Sequence, residues 1–188
     1  KFAQKSLTLF FAALAAVLVV LGLLTAYYWS GTAGSVYELS QLMQGNIKDS
    51  FGSSRILIWR KSLELVPERM LLGGGPGTLS LRLDVNFSRF VEETGQTLSS
   101  SVDNAHNDYL GILVNTGLLS LAAYLAAQLT SLFKAAKAAK SSEFCACLAC
   151  CLLCYWIQAF FGLGLFLVSP IMWLCWGLLV SSLRNVKN

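Results

Sequence analysis

The sequence predicts an all-α integral membrane protein, with four transmembrane helices and a partly helical extracytoplasmic segment between the first and the second. Three observations carry that prediction. Hydrophobic residues make up 55% of the 188 positions against 13% charged, and the mean hydropathy is +0.60, well to the apolar side of a soluble domain. The apolar residues are gathered into blocks, because stretches 7–28, 110–133 and 144–183 contain no charged residue at all. Lysine and arginine flank these blocks in a pattern that selects one orientation in a bilayer.

Residues 1–28 form the first expected transmembrane helix, since about 20 apolar residues suffice to cross the hydrocarbon. Lys1 and Lys5 precede it, and Tyr27, Tyr28 and Trp29 mark an interface at its far end. A cleaved signal peptide is the competing reading, but the run is long for one and Thr32-Ala33-Gly34 is a poor cleavage site. The chain opens on this span without an initiating methionine, which leads us to expect a portion of a larger membrane protein. Residues 29–105 then lie outside the cytoplasm, and 106–133 form the second transmembrane helix.

The link at 134–143 carries Lys134, Lys137 and Lys140 and is expected to be cytoplasmic. The block at 144–183 is about twice the length of one span and is interrupted by Gly162, Gly164 and Ser169-Pro170. It reads as a transmembrane helical hairpin, followed by a cytoplasmic tail at 184–188 with Arg184 and Lys187. All three basic clusters then share one side, and both ends of the chain are cytoplasmic. The net charge of +4 is thus a topology signal, and the expected partners include membrane lipids and no nucleic acid. All six cysteines fall within the last block, at 145, 147, 150, 151, 154 and 175. With no histidine or carboxylate beside them they read as small hydrophobes and not as a metal or redox site.

Within the outer segment, residues 36–44 suit a short helix. Residues 50–54 form a loop ending in an N-cap, and 55–66 read as an amphipathic helix stopped by Pro67. One face carries Ile56, Trp59, Leu63 and Val66 and is expected to lie along the membrane surface or on the ends of the spans. Arg55 opens this helix with Trp59 one turn below it, close enough to restrain a guanidinium by stacking. A restrained, permanently charged fork suits a phosphate. Arg60 is a second cation on the same helix. Gly73, Gly74, Gly75, Pro76 and Gly77 follow, a density of glycine that permits turns or close backbone approach. No lysine follows them, so this is not a nucleotide-binding loop. Between 79 and 101, Arg82, Asp84, Arg89, Glu92 and Glu93 alternate with Phe87, Phe90 and Val91. This suggests a short amphipathic helix and then a polar linker from Gly95, and its charges are assigned no role.

The only histidine, His106, stands in the string Asp103-Asn104-Ala105-His106-Asn107-Asp108-Tyr109-Leu110. Asp103 or Asn104 can cap the second span, which places His106 in its first turn. The positive end of the helix dipole favours an uncharged ring there, and a neutral imidazole can deprotonate a hydroxyl. Asp108 is positioned to orient that ring, and Asn107 and Tyr109 supply polar contacts. Chemistry alone leaves the histidine equally an interfacial cap or a general base.

Taken together, Arg55 with Trp59, the Pro67 break, the glycine-rich turn at 73–77, His106-Asn107-x-Tyr109-Leu110 and Gly117-Leu118-Leu119 resemble the C-terminal portion of the O-antigen ligase and polymerase superfamily. Those are bacterial polytopic membrane glycosyltransferases. The resemblance runs from about residue 55 through the second span. It implies a multi-pass protein of the bacterial inner membrane acting in cell-surface polysaccharide assembly, O-antigen or capsule. Glycan would pass from an undecaprenyl-diphosphate-linked donor to a hydroxyl of a glycan, lipid or protein acceptor, with no cofactor and no metal. His106 would then be the base, Arg55 and Arg60 would hold the diphosphate, and Trp59, residues 73–77, Asn107 and Tyr109 would shape the site. Members of that superfamily have many more than four spans, so this chain alone is expected to be incomplete as an enzyme. The alternative from another class is a non-enzymatic sensor or a transporter portion. Gln128 and Gln158 are nearly the only polar residues noted within the spans, which weakens the transporter.

Overall fold

The computed structural model describes residues 2–91, 95–139 and 141–185. Lys1, Glu92, Glu93, Lys140 and Lys187, on which the charge pattern drew, lie outside the described residues. The chain divides into two compact units, Lys1–Ile56 and Leu57–Asn188.

In the first unit, α1 (Phe2–Tyr27) contains a 19-residue apolar stretch, Leu9–Tyr27, long enough to cross a membrane. Its side chains from Leu9 to Leu24 are almost all exposed, as lipid-facing residues are. Helix α2 (Ser35–Met43), close to the expected bounds, folds back on the end of α1. There the Ser40 hydroxyl and the Gln44 amide both donate to the Tyr27 carbonyl, at 3.2 and 3.0 Å. These bonds satisfy a carbonyl that a helix C-terminus otherwise leaves unpaired. Phe51 is buried against the edge of the Tyr37 ring, and Glu38 accepts from the backbone of Gly52 at 2.9 Å.

Helix α3 is assigned over Phe51–Glu64, but Gly52, Ser53 and Ser54 have left-handed backbone angles. Regular helix therefore begins at Arg55, as the sequence suggested, although a left-handed turn stands where a capping serine was expected. The inward face also differs from the expected one. Ile58 and Ser62 are buried, with Leu65 and Val66 packed against the same core, whereas Leu63 is 53% exposed. A hydrophobicity pattern passes over Ser62, and that shifts the apparent stripe. After Glu64 the chain turns through a short 3₁₀ segment, Pro67–Arg69.

Residues 79–101 are not the helix and linker expected from the sequence. A four-residue helix, α4 (Leu79–Arg82), leads into an antiparallel hairpin of β1 (Asn86–Val91) and β2 (Gln96–Ser101), so the fold is not purely helical. Asn86 pairs with Ser101 and Val91 with Gln96. Gly95 supplies a positive φ in the turn, and Val85 and Val102, both buried, anchor the base. Short strands joined by a glycine turn need only a two-residue alternation, which a run of serines conceals.

Helix α5 (Asp108–Ala138) is the second element long and apolar enough to cross a membrane. At 31 residues it would measure about 46 Å if straight, against a hydrocarbon core of about 30 Å. It is not straight. Gly117 (φ 84, ψ 176) breaks it into arms at 108–116 and 118–138. Tyr109 and Tyr124 would be about 22 Å apart along a continuous helix, yet their ring centroids are 6.2 Å apart.

The break is satisfied by backbone exchange with the glycine-rich segment. In an unbroken helix Leu118 and Leu119 would donate to the carbonyls of Val114 and Asn115. Here Leu118 donates instead to Met70 (2.8 Å) and Leu119 to Leu71 (3.4 Å), while Val114 accepts from Gly74 (2.9 Å) and Asn115 from Gly75 (2.8 Å). A Cβ on Gly73 would overlap the Asn115 carbonyl, and one on Gly117 the Leu71 carbonyl. Glycine is required at both by contact and by positive φ. Arg82, given no role by the sequence, closes the join: its guanidinium lies against Gly74 and donates to the carbonyls of Val114 (3.2 Å) and Leu65 (3.4 Å).

Helices α6 (Glu143–Ala159) and α7 (Ser169–Asn185), 17 residues each, pack on one another; among the described residues α1 and α5 are the two helices long and apolar enough to cross a membrane. Ser142 caps α6, accepting from Cys145 at 3.3 Å. Their core with α5 comprises Ala135, Cys145, Leu152, Trp156, Trp176 and Leu179 among others. Trp156 and Trp176 meet edge to face at 5.0 Å, and Trp176 donates to Ser131 at 2.8 Å. Cys145 is buried, whereas Cys147, Cys150, Cys151 and Cys154 are exposed.

Replacing Gly117 by alanine imposes a left-handed alanine and displaces the Leu71 carbonyl. The full-length protein in detergent should lose about 2 kcal/mol or more of stability. Gly177→Ala, in open space on α7, should be neutral or slightly stabilising. Thermal unfolding followed by circular dichroism compares the two, and equal melting of both variants would refute a structural need for the exchange.

Candidate functional site

The bend in α5 opens a cavity of about 600 Å³ between its two arms, walled by parts of the second unit alone. It is lined by the turn at 104–107, by Pro76 and Gly77 of the glycine-rich segment, and by Gly164, Ser169 and Trp173 of the α6–α7 loop and α7. His106 lines this cavity. It is half-buried between Ala105 and Asn107, both buried, and holds a left-handed φ of 49°. A non-glycine residue adopts that conformation when its surroundings impose it. Here Asn104 imposes it by accepting from the His106 backbone at 3.0 Å, and Asp103 in turn accepts from the Asn104 amide at 2.6 Å. Among the described residues no side chain bonds the imidazole.

The cap assignment therefore needs correction. Asn107, not Asp103 or Asn104, is the N-cap of α5, accepting from Leu110 at 3.0 Å. Asn104 lies three residues too early, because Leu110 is the first residue of the arm to enter the core. His106 stands just before the helix and not in its first turn. Asp108 does not orient the ring either. Its carboxylate accepts from the Gly164 backbone at 2.6 Å, tying the α6–α7 loop to the start of α5.

The remaining expected site residues are distributed unevenly. Asn107, Pro76 and Gly77 line the cavity with His106. Gly73, Gly74 and Gly75 stand behind that edge and hold the backbone join. Tyr109 turns away to donate to the Trp156 carbonyl at 2.8 Å, pinning the first arm to α6. Trp59 packs edge to face on Phe160 at 5.6 Å, so it braces the α6–α7 loop. Arg60, exposed on α3, is not among the lining residues. Arg55 belongs to the first unit and is half-buried at the start of regular α3.

The sequence pattern passed over much of the wall. Asp108, Gly111, Ile112, Asn115, Thr116, Ser120 and Tyr124 recur on α5 at steps of three and four and all line the cavity. A polar stripe at helical spacing inside an apolar run is the signal for it, and neither Gln128 nor Gln158 is among the lining residues. Tyr155 and Ser169 also line the cavity, their hydroxyls 3.2 Å apart, together with the apolar Leu163 and Met172. Among the described residues no group of three His, Cys, Asp or Glu side chains is arranged to hold a metal ion. The cavity therefore offers one imidazole, a carboxylate already engaged with backbone, several hydroxyls and amides, and aromatic faces. That set can hold a polyhydroxylated molecule and accept a proton from it.

A family model described as O-Antigen ligase matches residues 2–125. The chain belongs to the O-antigen ligase family. That family works in cell-surface glycan assembly at the bacterial inner membrane, and its activity is of the glycosyltransferase-like ligase kind. The match spans Arg55, the glycine-rich segment, His106 and the bend at Gly117, and stops before α6 and α7. No curated protein and no solved structure matches the chain.

The single carboxylate bond from Asp108 secures the loop across the cavity from the glycine join. Asp108→Ala should speed amide exchange at Gly164 and its neighbours about tenfold, the scale of one charge-assisted hydrogen bond. Asp103→Ala should leave that exchange unchanged. Hydrogen–deuterium exchange read by mass spectrometry on peptides covering 160–168 tests this, and equal rates in both variants would count against the tether.

Proposed function

We propose that this protein is a metal-independent membrane glycosyltransferase that moves or polymerises glycan from an undecaprenyl-diphosphate-linked donor onto an acceptor hydroxyl outside the cytoplasm. The observation that carries this reading is His106, the chain's one imidazole, held by a left-handed turn in the lining of a cavity in an O-antigen ligase family member. The imidazole takes the proton of the acceptor hydroxyl as its oxygen bonds to the anomeric carbon of the donor sugar. The bond from that carbon to the diphosphate oxygen breaks, and undecaprenyl diphosphate leaves with the electron pair. Arg55 and Arg60 are the cations assigned to the charge that builds on the leaving group, a task suited to a fixed guanidinium. Asn107 sets the position of the histidine turn through its cap.

The same reading assigns a topology. Residues 29–105 lie outside the cytoplasm, and Lys134 and Lys137, in the last turns of α5, lie within it, following the positive-inside rule. Residues 118–133 of the second arm of α5 are the span, with the first arm at the outer boundary beside His106. Helices of 17 residues, about 26 Å long, cross as a hairpin where the bilayer thins or their flanking residues reach its surface.

In the full-length protein, His106→Ala should lower glycan transfer at least about 100-fold, the scale of a lost general base. Arg55→Ala should lower it by a comparable factor, the scale of lost charge stabilisation. Both proteins should still insert and extract from membranes as wild type does. Gel analysis of surface polysaccharide in a deletion strain carrying each variant reads the outcome, and normal polymer with both variants would return the chain to a non-enzymatic class.

A further inference from the structure

The α7 side of the cavity carries features that proton transfer does not use. Trp173 is 55% exposed and lines the cavity, and one of its faces is covered by Trp176, stacked at 5.2 Å and 15°. Trp176 is itself fixed by its bond to Ser131. Tyr124 packs against both indoles, with centroids at 6.3 and 5.9 Å. The result is a rigid aromatic floor with one open indole face. Asn115 lines the same cavity, and its side-chain oxygen, shielded from solvent, has no hydrogen-bond partner among the described residues. Buried polar atoms are nearly always paired, so this amide has hydrogen-bonding capacity that a bound hydroxyl can meet once the side chain turns toward the cavity. Ser120 and the Tyr155–Ser169 hydroxyl pair add donors and acceptors along the sides.

We infer that this floor is a pyranose-binding subsite: one sugar ring stacks its apolar C–H face on Trp173 while Asn115 and the neighbouring hydroxyls bond its equatorial oxygens. A sugar ring presents an apolar face and a polar rim, and the wall presents an aromatic plane and a polar rim in the same arrangement. A tryptophan acting only as an interfacial anchor would need no such polar neighbours. Trp173 and Trp176, on α7, lie outside the residues that the family model matches, whereas Asn115 and Tyr124 lie within them, so the stacking face is argued from its own geometry. The inference rests on the glycosyl transfer proposed above and names what the site takes next to His106, a pyranose of the donor glycan or of the acceptor.

The test uses the full-length protein in nanodiscs with a panel of methyl pyranosides, including glucoside, galactoside and N-acetylglucosaminide, read by saturation-transfer NMR. At least one pyranoside should show transfer centred on its ring C–H protons. Trp173→Ala should weaken its binding about tenfold, Trp173→Phe should restore most of it, and His106→Ala should leave it intact. In a transfer assay, Trp173→Ala and Asn115→Ala should raise KM about tenfold with kcat within about threefold. The substrate whose KM moves, donor or acceptor, identifies the source of the ring. Pyranoside binding that depends on Trp173 in a protein without transferase activity would keep the subsite and discard the reaction. Transfer that depends on His106 but not on Trp173 or Asn115, with no pyranoside bound, would overturn the subsite and leave the reaction standing.

Discussion

Everything around His106 depends on the exchange of backbone hydrogen bonds at Gly117. A helix broken in apolar surroundings exposes donors and acceptors that cost several kcal/mol apiece if left unpaired. The chain meets that cost with backbone: two helical bonds are given up and four are formed with residues 70–75. Only glycine lets the strands of backbone approach so closely, and it stands on both sides of the join, at 73 and at 117. The bend that results separates the arms of α5 and so makes the cavity. Without it, the polar stripe from Asp108 to Tyr124 would run down one face of a straight helix.

The two sides of the cavity are held with unequal strength. On the glycine side, backbone bonds are backed by Arg82, which reaches the carbonyls of Val114 and Leu65 from a largely buried position. Its pairing with exposed Glu68 at 3.7 Å adds little by comparison. On the α6–α7 side, Tyr109 bonds the Trp156 carbonyl and Asp108 bonds Gly164. Beyond them, Leu165, Phe166 and Leu167 are exposed. Local opening follows the sparsest contacts, so the loop at 160–168 is the part of the wall that costs least to move.

How much of this was legible in the sequence depended on whether a feature was local. The helical character of the apolar blocks, the short helix at α2 and the interruption between Gly162 and Pro170 follow from composition and spacing, and helices α1, α2, α5, α6 and α7 are found there. The glycine run announced close backbone approach but not its partner, because the partner is 40 residues away and looks like an ordinary apolar span. The cap was misplaced by three residues, since Asp103, Asn104 and Asn107 are all good caps and only the burial of Leu110 chooses among them. The β-hairpin was missed because a serine run has weak strand propensity and is fixed by its buried anchors, Val85 and Val102. Arg82 looked like one charge among many on a polar segment. Its role exists only once Gly74 and Val114 have been brought to it.

The last consequence concerns where a base can work at a membrane boundary. An imidazole in the first turn of a spanning helix would be aligned with that helix and offered to whatever lay above it. The left-handed turn instead sets His106 outside the helix and beside the gap between the two arms. The turn depends on Asn104 accepting from the His106 backbone and on Asn107 capping the arm that follows. That arm is in turn held by the join at Gly117. The direction of the histidine is thus set by a chain of backbone contacts ending at the glycine segment. A substitution at Gly73 or Gly117 would reach the imidazole without touching it.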